Sequence, residues 1–416
     1  MAKRRLPELL APAGGWEQLE YAIRFGADAV YLATDRFGLR QRASNFSLDE
    51  IPEVVAYAHE RGVAVHVTCN AQMHDDDLID MPRYMEAFDA AGVDAILVSD
   101  LGVLRLARRY APHVALHVST QASVSNVQSA LTWYDLGARR IVCAREMSLE
   151  EIAQMKRQIP DDMEIEVFVH GAMCMAISGR CLISDYLTGR SAISGNCTQP
   201  CRWRYALMEE KRPGQYFPIE ENNDGGSFIL NAKDMCMLAH LDDLVRAGVD
   251  SIKIEGRNKK AFYVATVVNA YRQVLDGADP VQFQSELETM SHRPYNTGFF
   301  YGPAHQTTES DAYVRAYDWA AEVLECNPIG EGHYKVSVLC RNRFWQGSEL
   351  EVLSPGRPVQ TLSISYLVFA PKDGHPPYGV LAASSAMERY TFQTTVPLHP
   401  HDILRIRHDA SAPEFS

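Results

Sequence analysis

Five of the nine cysteines fall in one stretch of the chain, with the spacing C-x6-C-x15-C-x3-C-x34-C. They are Cys174, Cys181, Cys197, Cys201 and Cys236. Thiolates that converge on one point bind zinc or iron–sulfur clusters. Structural zinc sites usually contain cysteine pairs separated by about two to four residues, and only Cys197 and Cys201 match that spacing. The wider spacing of the other cysteines favours an iron–sulfur cluster, and we expect a cluster of the 4Fe-4S type.

Polar side chains follow several short apolar runs in the first two-thirds of the chain. The set is Arg42, Asn45, Asn70, Gln121, Arg145, His170, Glu255 and Arg257. Any one of them could make only a local hydrogen bond, and for His170 a structural role is the alternative, but together they suit one pocket. We predict that His170 and Glu255 are catalytic and that the other six bind substrate or cosubstrate. Clustered arginines favour an anionic ligand that carries carboxylates or phosphate.

Eight apolar runs alternate with amphipathic helical segments and supply the scaffold for these residues. The predicted strands are Glu8–Ala13, Ala29–Ala33, Ala64–Cys69, Ala95–Ser99, Val114–Ser119, Arg140–Cys143, Glu164–Val169 and Ser251–Glu255. This alternation indicates a parallel sheet covered on both faces. Eight units predict a closed (β/α)8 TIM-like barrel, and the lack of GxGxxG after the first strand argues against a doubly wound sheet. The polar residues above would then share the C-terminal face of the barrel.

The pattern of the chain changes twice. We assign residues 1–300 to the barrel, with a Cys-rich insertion at about 171–235 after the seventh strand. Residues 305–416 alternate apolar and polar side chains with period two, between turns rich in Gly, Pro and Asn. This second pattern predicts a small C-terminal antiparallel β-domain, namely a β-barrel.

Composition restricts the location and the partners. The formal net charge is −13, which disfavours broad nonspecific binding to nucleic acid. The apolar runs are short and bounded by charges, so we expect no membrane span and no membrane partner. The N-terminal residues lack the apolar stretch of a signal peptide, which leads us to expect a cytoplasmic protein.

Several motifs occur in order along the chain, and they cover essentially its whole length. They are ELLAPAGGWEQLEYAIRFGADAVYLA, HGAMCMAISGRC, NCTQPCRWRY, SIKIEGR and SHRPYNTGFFYG. In these motifs the sequence resembles peptidase family U32. Some members of that family have a collagenase-type peptidase activity, and others hydroxylate RNA or ubiquinone and hold an iron–sulfur cluster in a barrel. In length and in the CTQPCRWRY motif the chain is most similar to the tRNA uridine hydroxylation proteins.

The resemblance implies a tRNA partner and a reaction that makes 5-hydroxyuridine at the wobble position with prephenate as cosubstrate. It places the four cluster ligands on Cys174, Cys181, Cys197 and Cys201, whereas the quinone-hydroxylating relatives match Cys236 instead of Cys201. Arg202, Trp203 and Arg204 combine charge with an aromatic ring beside Cys201, so we predict that they bind RNA. A packed hairpin is the alternative for this segment.

The sequence is compatible with two other functions. The first is a peptidase of the U32 type, against which stands the lack of an HExxH or GxSxG motif. The second is a cluster-bearing protein that serves another hydroxylation substrate, or that acts only together with a homologous U32 subunit.

Overall fold

The structure is a computed structural model of the 416-residue chain. It describes residues 6–39, 43–173, 181, 183–192, 195–203, 207–208, 216–217, 233–302, 316–372 and 375–408. Three predicted site residues, Arg42, Cys174 and Arg204, lie outside these ranges, as does most of the predicted Cys-rich insertion. Of Arg202 only the backbone is described.

Eight parallel strands form the first part of the chain. They are β1 (Glu8–Pro12), β2 (Ala29–Leu32), β3 (Ala64–Cys69), β4 (Ala95–Val98), β5 (Ala115–Val118), β6 (Arg140–Val142), β7 (Glu164–Ala172) and β8 (Ser251–Ile254). Each strand pairs with the next along the chain, and β8 pairs with both β7 and β1. The sheet is therefore closed, which confirms the predicted TIM-like barrel.

Helices follow the strands. The α-helices are Trp16–Arg24, Ile51–His59, Asp75–Leu78, Met81–Ala91, Leu101–Tyr110, Val127–Asp135, Leu149–Lys156, Ile183–Thr188, Leu241–Ala247, Ala261–Leu275 and Pro280–Leu287. Single 3-10 turns span Leu48–Glu50, Thr120–Ala122, Pro200–Arg202 and Leu238–His240. None of the helices in the described ranges has the length and apolar content that a membrane span needs.

Two of these helices end at a glycine, after which the chain turns into the next strand. Gly92 and Gly248 adopt left-handed backbone conformations, with φ of 75° and 80°. The residues that follow them, Val93 and Val249, are buried, and their N–H groups donate to carbonyls of the preceding helix. A side chain at the glycine position would be strained, so glycine permits the chain to turn directly into β4 and β8.

The seventh strand departs from the simple repeat. It continues three residues past its predicted end at Val169, and the pairing of β7 with β8 shifts register between Lys253 and Ile254. Gly171 has φ of +103°, and its end of the strand pairs antiparallel with Asp234–Cys236. Tyr295–Asn296 pairs in turn with that short strand. The barrel is thus extended at the point where the Cys-rich insertion leaves it.

The C-terminal part of the chain is an antiparallel sheet with its own apolar core, which confirms the predicted β-domain. Its strands run in the order Gln360–Ser363, Glu349–Leu353, Ile403–Arg407, Tyr317–Gly330, His333–Cys340, Arg389–Thr394, Ser365–Ala370 and Tyr378–Gly379. Phe344–Trp345 and Ala382–Ala383 form a separate two-stranded ribbon, as do Leu207–Met208 and Tyr216–Phe217 in the first part of the chain.

The chain divides into two compact units, Met1–Gln284 with His292–Tyr313, and Ser285–Ser291 with Val314–Ser416. We expected the boundary near residue 300, without the short segment Ser285–Ser291 in the second unit. The buried guanidinium of Arg405 explains that assignment, because it donates to both Glu286 carboxylate oxygens and to the Thr289 hydroxyl.

Candidate active site at the mouth of the barrel

A cavity of about 120 Å³ lies where the barrel strands end at their carboxyl termini. Its lining residues are Tyr31, Leu39, Thr68, Asn70, Ser119, Thr120, Gln121, Val142, Arg145, Phe168, Cys181, Ala192, Cys197, Lys253, Glu255 and Arg257. Five predicted polar residues and two predicted metal ligands are therefore brought together. Two other predicted polar residues, Asn45 and His170, are not part of this lining, nor are Cys201, Trp203 and Cys236.

Arg257 is held at the cavity by the ends of three strands. Its side chain is buried and donates from Nη1 to the Thr68 hydroxyl at 2.7 Å, and that hydroxyl donates to the Leu32 carbonyl at 3.0 Å. The backbone of Arg257 packs directly on Gly14, where an added Cβ would lie 2.0 Å from the Arg257 carbonyl oxygen. The glycine after β1 thus allows the arginine after β8 to enter the site.

Arg145 follows β6 and lies over an aromatic ring. Its guanidinium carbon is 3.9 Å from the centroid of the Phe168 ring, and Nη1 donates to the Ala172 carbonyl at 2.9 Å. Among the described residues, Arg145 has no carboxylate partner, and its buried Nε has no hydrogen-bond partner. A guanidinium in this state is well suited to bind an anion that enters the cavity.

Asn70 and Ser119 form a polar wall between β3 and β5. The Asn70 amide donates to the Ser119 hydroxyl at 2.9 Å, and its carbonyl oxygen accepts from the Leu39 N–H. The Ser119 hydroxyl also accepts from the Gln121 N–H at 3.4 Å. Gln121 itself is buried in the 3-10 turn that follows β5. These contacts fix the orientation of the amide and hydroxyl groups around the cavity.

Lys253 is a lining residue that our sequence analysis missed. It lies inside β8 between two buried isoleucines, and its ammonium group is 4.3 Å from the centroid of the Tyr31 ring. Nζ donates to Glu166 at 2.9 Å. Burial lowers the pKa of Lys253, an effect that Glu166 opposes. The sequence did contain a sign of this role, namely a charged residue inside an otherwise apolar strand. In a closed barrel alternate side chains of each strand point inward, so Lys253 could have been predicted to face the interior.

A network of buried charges lies below Lys253 inside the barrel. The Glu166 carboxylate is fully buried and accepts from Arg140 as well as from Lys253. Arg140 also binds Glu8 at 2.6 Å and Glu164 at 2.7 Å. Burial alone would lower the pKa of Arg140, but the surrounding carboxylates outweigh it and raise that pKa. Each charge in the network therefore has an opposite partner in the barrel interior.

Two buried histidines, His66 and His117, face the same network. Their ring centroids are 4.9 Å apart, and their ligand atoms and those of Glu166 lie within 4.8 Å of one another. Such spacing is compatible with a metal ion. However, Arg140 and Lys253 already occupy both oxygens of Glu166, and these two cations would repel a third. We interpret the cluster as part of the buried charge network.

The histidine pair makes stability sensitive to acid. Burial lowers the pKa of His66 and lowers that of His117 well below 6.5. Protons are therefore taken up on unfolding once the pH falls below about 6.5, so acid favours the unfolded state. We expect His117→Leu to lose less stability than wild type between pH 7.5 and pH 5, as measured by urea unfolding. Parallel losses in the two proteins would contradict this assignment.

His170 lies behind the cavity in an aromatic cluster. Its ring centroid is 5.4 to 6.0 Å from those of Tyr263, Tyr271 and Tyr295. The register shift in β7 places it there, since its backbone carbonyl accepts from the Glu255 N–H at 2.9 Å. Burial lowers the pKa of His170 to about 3, so the ring is neutral near pH 7. This geometry supports the structural alternative, whereas Glu255 reaches the cavity.

Asn45 lies in the loop after β2 with a positive φ of 50°. Its N–H donates to the Gly14 carbonyl at 2.9 Å, and its buried side-chain oxygen has no hydrogen-bond partner among the described residues. Asn45 therefore joins the loops after β1 and β2, beside the contact between Gly14 and Arg257.

The described cysteines of the Cys-rich region occupy two different environments. Cys181 and Cys197 line the cavity and are half-buried, and Cys201 is half-buried in the turn that follows Cys197. Cys236 is buried in Asp234–Cys236 against the Tyr271 hydroxyl, and burial raises the pKa of its thiol. Neither Cys201 nor Cys236 is part of the cavity lining. Cys201 is close to Cys197 in the chain, whereas Cys236 belongs to a separate buried strand, so Cys201 is the better candidate to act with Cys181 and Cys197.

The described cysteines do not form a group of three possible ligands within 4.8 Å. Among the described residues, the one group of three possible ligands within 4.8 Å is the buried His–His–Glu cluster, so no three described cysteines are that close. A tetrahedral zinc ion needs its sulfurs within about twice the 2.3 Å Zn–S distance. An iron–sulfur cluster separates its thiolates more widely, because several irons and sulfides stand between them.

Fold and site together define a TIM-barrel protein with thiols and cations around one cavity at its C-terminal face. The sequence profile of peptidase family U32 matches residues 14–310. The chain belongs to peptidase family U32, as its motifs had indicated.

Three relatives illustrate the range of this family. The chain is 35% identical over 410 residues to tRNA hydroxylation protein P1 of Bacillus subtilis (strain 168), covering 96% of this chain and 94% of that protein. It is 33% identical to tRNA hydroxylation protein P of Escherichia coli (strain K12), covering 84% and 86%. It is 36% identical to an uncharacterized protease, MJ0090, of Methanocaldococcus jannaschii, covering 80% and 82%.

Proposed function

We propose that this protein hydroxylates the wobble uridine of tRNA to 5-hydroxyuridine in an iron–sulfur-dependent reaction that uses prephenate. One observation carries the proposal: Cys181 and Cys197 line the same cavity as the cations Arg145, Lys253 and Arg257. The names of the Bacillus subtilis and Escherichia coli relatives support tRNA as the substrate.

The residues around the cavity fit an iron–sulfur cluster. Cys181, Cys197 and Cys201 would hold it, with Cys174 as the fourth ligand in the family pattern. When bound, such a group supplies or accepts electrons next to the cavity. The partial exposure of these three cysteines suits the role, because buried structural thiols such as Cys69 have a pKa raised to about 12 and stay protonated.

The cavity also fits an anionic cosubstrate with a ring. Three cations and one carboxylate, Glu255, line it, and because Glu166 already pairs with Lys253, the two arginines supply the remaining positive charge although the whole chain is acidic. Tyr31 and Phe168 add flat apolar surfaces beside Lys253 and Arg145. Prephenate is a cyclic dicarboxylate and would pair its charges with these cations. Glu255 is the one carboxylate of the described lining and is our candidate for the general base.

A gene deletion tests the proposed function directly. We expect tRNA from the deletion strain to lack 5-hydroxyuridine, as measured by mass spectrometry of nucleosides. Wild-type protein should restore the modification, and Cys181→Ser should not. If the modification persists in a strain that has no second U32 member, tRNA is not the substrate. If the purified chain is active only when a homologous U32 subunit is added, the protein works as part of a pair.

The residues that line the cavity also bear on the peptidase alternative. Within the described residues, the cavity lining contains no histidine, and the Ser119 hydroxyl is engaged by Asn70 and Gln121. A nucleophile–base pair of the hydrolytic type is therefore not assembled there. Iron-replete protein that cleaves a defined collagen peptide, and loses this activity on mutation of a lining residue, would favour the peptidase.

Arg145→Gln should weaken use of the cosubstrate without loss of iron. The variant removes the charge of a guanidinium that has no described carboxylate partner, so an incoming carboxylate loses charge-assisted hydrogen bonds. We expect kcat/KM for prephenate to fall roughly 10- to 100-fold, from a loss of about 1.5–3 kcal/mol. The exposed Arg61→Gln is the matched control. Equal kinetics in the two variants would remove Arg145 from the binding site.

A further inference from the structure

Large apolar side chains are exposed on a short helix beside the cavity. In Ile183–Thr188, Tyr186 is 91% exposed and Leu187 is 47% exposed. Trp203, after the turn Pro200–Arg202, is 43% exposed. The helix Ile183–Thr188 contacts the turn Pro200–Arg202. Aromatic residues are usually buried to a large extent, so exposed rings on two neighbouring elements indicate a surface that contacts another molecule.

A hydrogen-bonded core fixes this helix to the second cavity cysteine. The buried Ser184 hydroxyl accepts from the Thr198 N–H at 2.9 Å and donates to the Arg190 carbonyl at 2.7 Å. The Thr188 hydroxyl lies 3.4 Å from that of Thr198. Since Thr198 directly follows Cys197, and Cys181 lies two residues before the helix, both ends of this segment are tied to the cavity lining.

The size of the cavity determines how an RNA substrate must reach it. A space of about 120 Å³ between strand ends is too small for a paired helix. The target base must leave its stack, and its neighbours then lose stacking partners. Because the chain is acidic overall, we expect phosphate contacts to be confined to local cations, and stacking on aromatic rings then adds to the affinity.

We propose that Tyr186 and Trp203 form a stacking surface for the unpaired bases that flank the target nucleotide. This inference rests on the proposed function and names the protein side of its RNA interface. The exposed rings are positioned by the segment that carries Cys181 and Cys197, so the bases they hold would lie at the entrance to the cavity. Single-stranded RNA is recognised through such rings because every base offers a flat face.

Binding of a fluorescent anticodon stem-loop to the full-length protein, followed by anisotropy, tests the surface. Tyr186→Ala and Trp203→Ala should each weaken binding by at least about five-fold. Tyr186→Phe should recover most of the loss, because the ring is kept. The slope of affinity against salt should not change, since neither variant removes a charge. The control is Tyr366→Ala, which removes another exposed tyrosine, 69% exposed, from the C-terminal domain.

The measurements distinguish a wrong proposed function from a wrong stacking surface. If wild-type protein neither binds nor hydroxylates the stem-loop, the proposed function is wrong. If wild type does both, and Tyr186→Ala and Trp203→Ala bind as tightly as Tyr366→Ala, the stacking surface is wrong. A change in the solution mass of Tyr186→Ala, with RNA affinity unchanged, would instead assign the exposed rings to a protein interface. Iron content and urea midpoints equal to wild type exclude misfolding of the variants.

Discussion

Cys181→Ser and Cys197→Ser should each yield colourless protein with little bound iron, whereas Cys236→Ser should stay brown with about four irons and four sulfides. The reason is placement. Cys181 and Cys197 reach the cavity, while Cys236 is buried in a short strand against the Tyr271 hydroxyl. Removing a thiolate ligand leaves the cluster with too few bonds, whereas a buried spare thiol can be replaced by a hydroxyl of similar shape.

Anaerobic purification with iron and sulfide analysis measures this difference. Cys201→Ser is the informative third variant, because Cys201 lies in the turn next to Cys197 and should also lose iron. Cys340→Ser, in the core of the C-terminal domain, controls for the general cost of a buried substitution. Iron loss in Cys236→Ser with retention in Cys201→Ser would reverse our choice of ligand. Stoichiometric zinc in wild-type protein would overturn the cluster itself.

Glu166→Gln should destabilise the barrel by about 3–5 kcal/mol, because it removes one partner of a buried ion pair. Lys253 would lose its one carboxylate partner among the described residues and remain buried. Arg140 would keep Glu8 and Glu164. The effect should therefore come mainly from the uncompensated ammonium group, and urea unfolding at pH 7.5 should report it.

The double variant Glu166→Gln with Lys253→Met provides the decisive comparison. It removes both charges of the pair, so we expect it to regain a large part of the stability that the single variant loses. Glu60→Ala breaks an exposed pair with Arg61 and should cost less than about 1 kcal/mol. A double variant as unstable as Glu166→Gln alone would show that the loss does not arise from an unpaired Lys253.

The alternation of short apolar strands with helices determined the barrel from the sequence alone. The eight predicted strands match the observed ones to within a few residues, because burial on both faces makes each strand a recognisable apolar run. The carboxyl ends of parallel barrel strands share one face, so the sequence also predicted that the polar residues after these strands lie together. The cavity lining contains five of them: Asn70, Gln121, Arg145, Glu255 and Arg257. Both features follow from local patterns and from the regularity of parallel barrels.

Which polar side chains meet inside the barrel depends on the closure of its sheet, which only the tertiary structure shows. Arg140 and Glu8 are 132 residues apart, and their pairing depends on the contact of β8 with β1 and β7, which no local pattern encodes. The register shift in β7 turned His170 away from the cavity, and the pairing of Asp234–Cys236 with β7 buries Cys236 outside the cavity lining. The residue types were visible in the sequence, but their direction depends on strand register, which long-range packing sets.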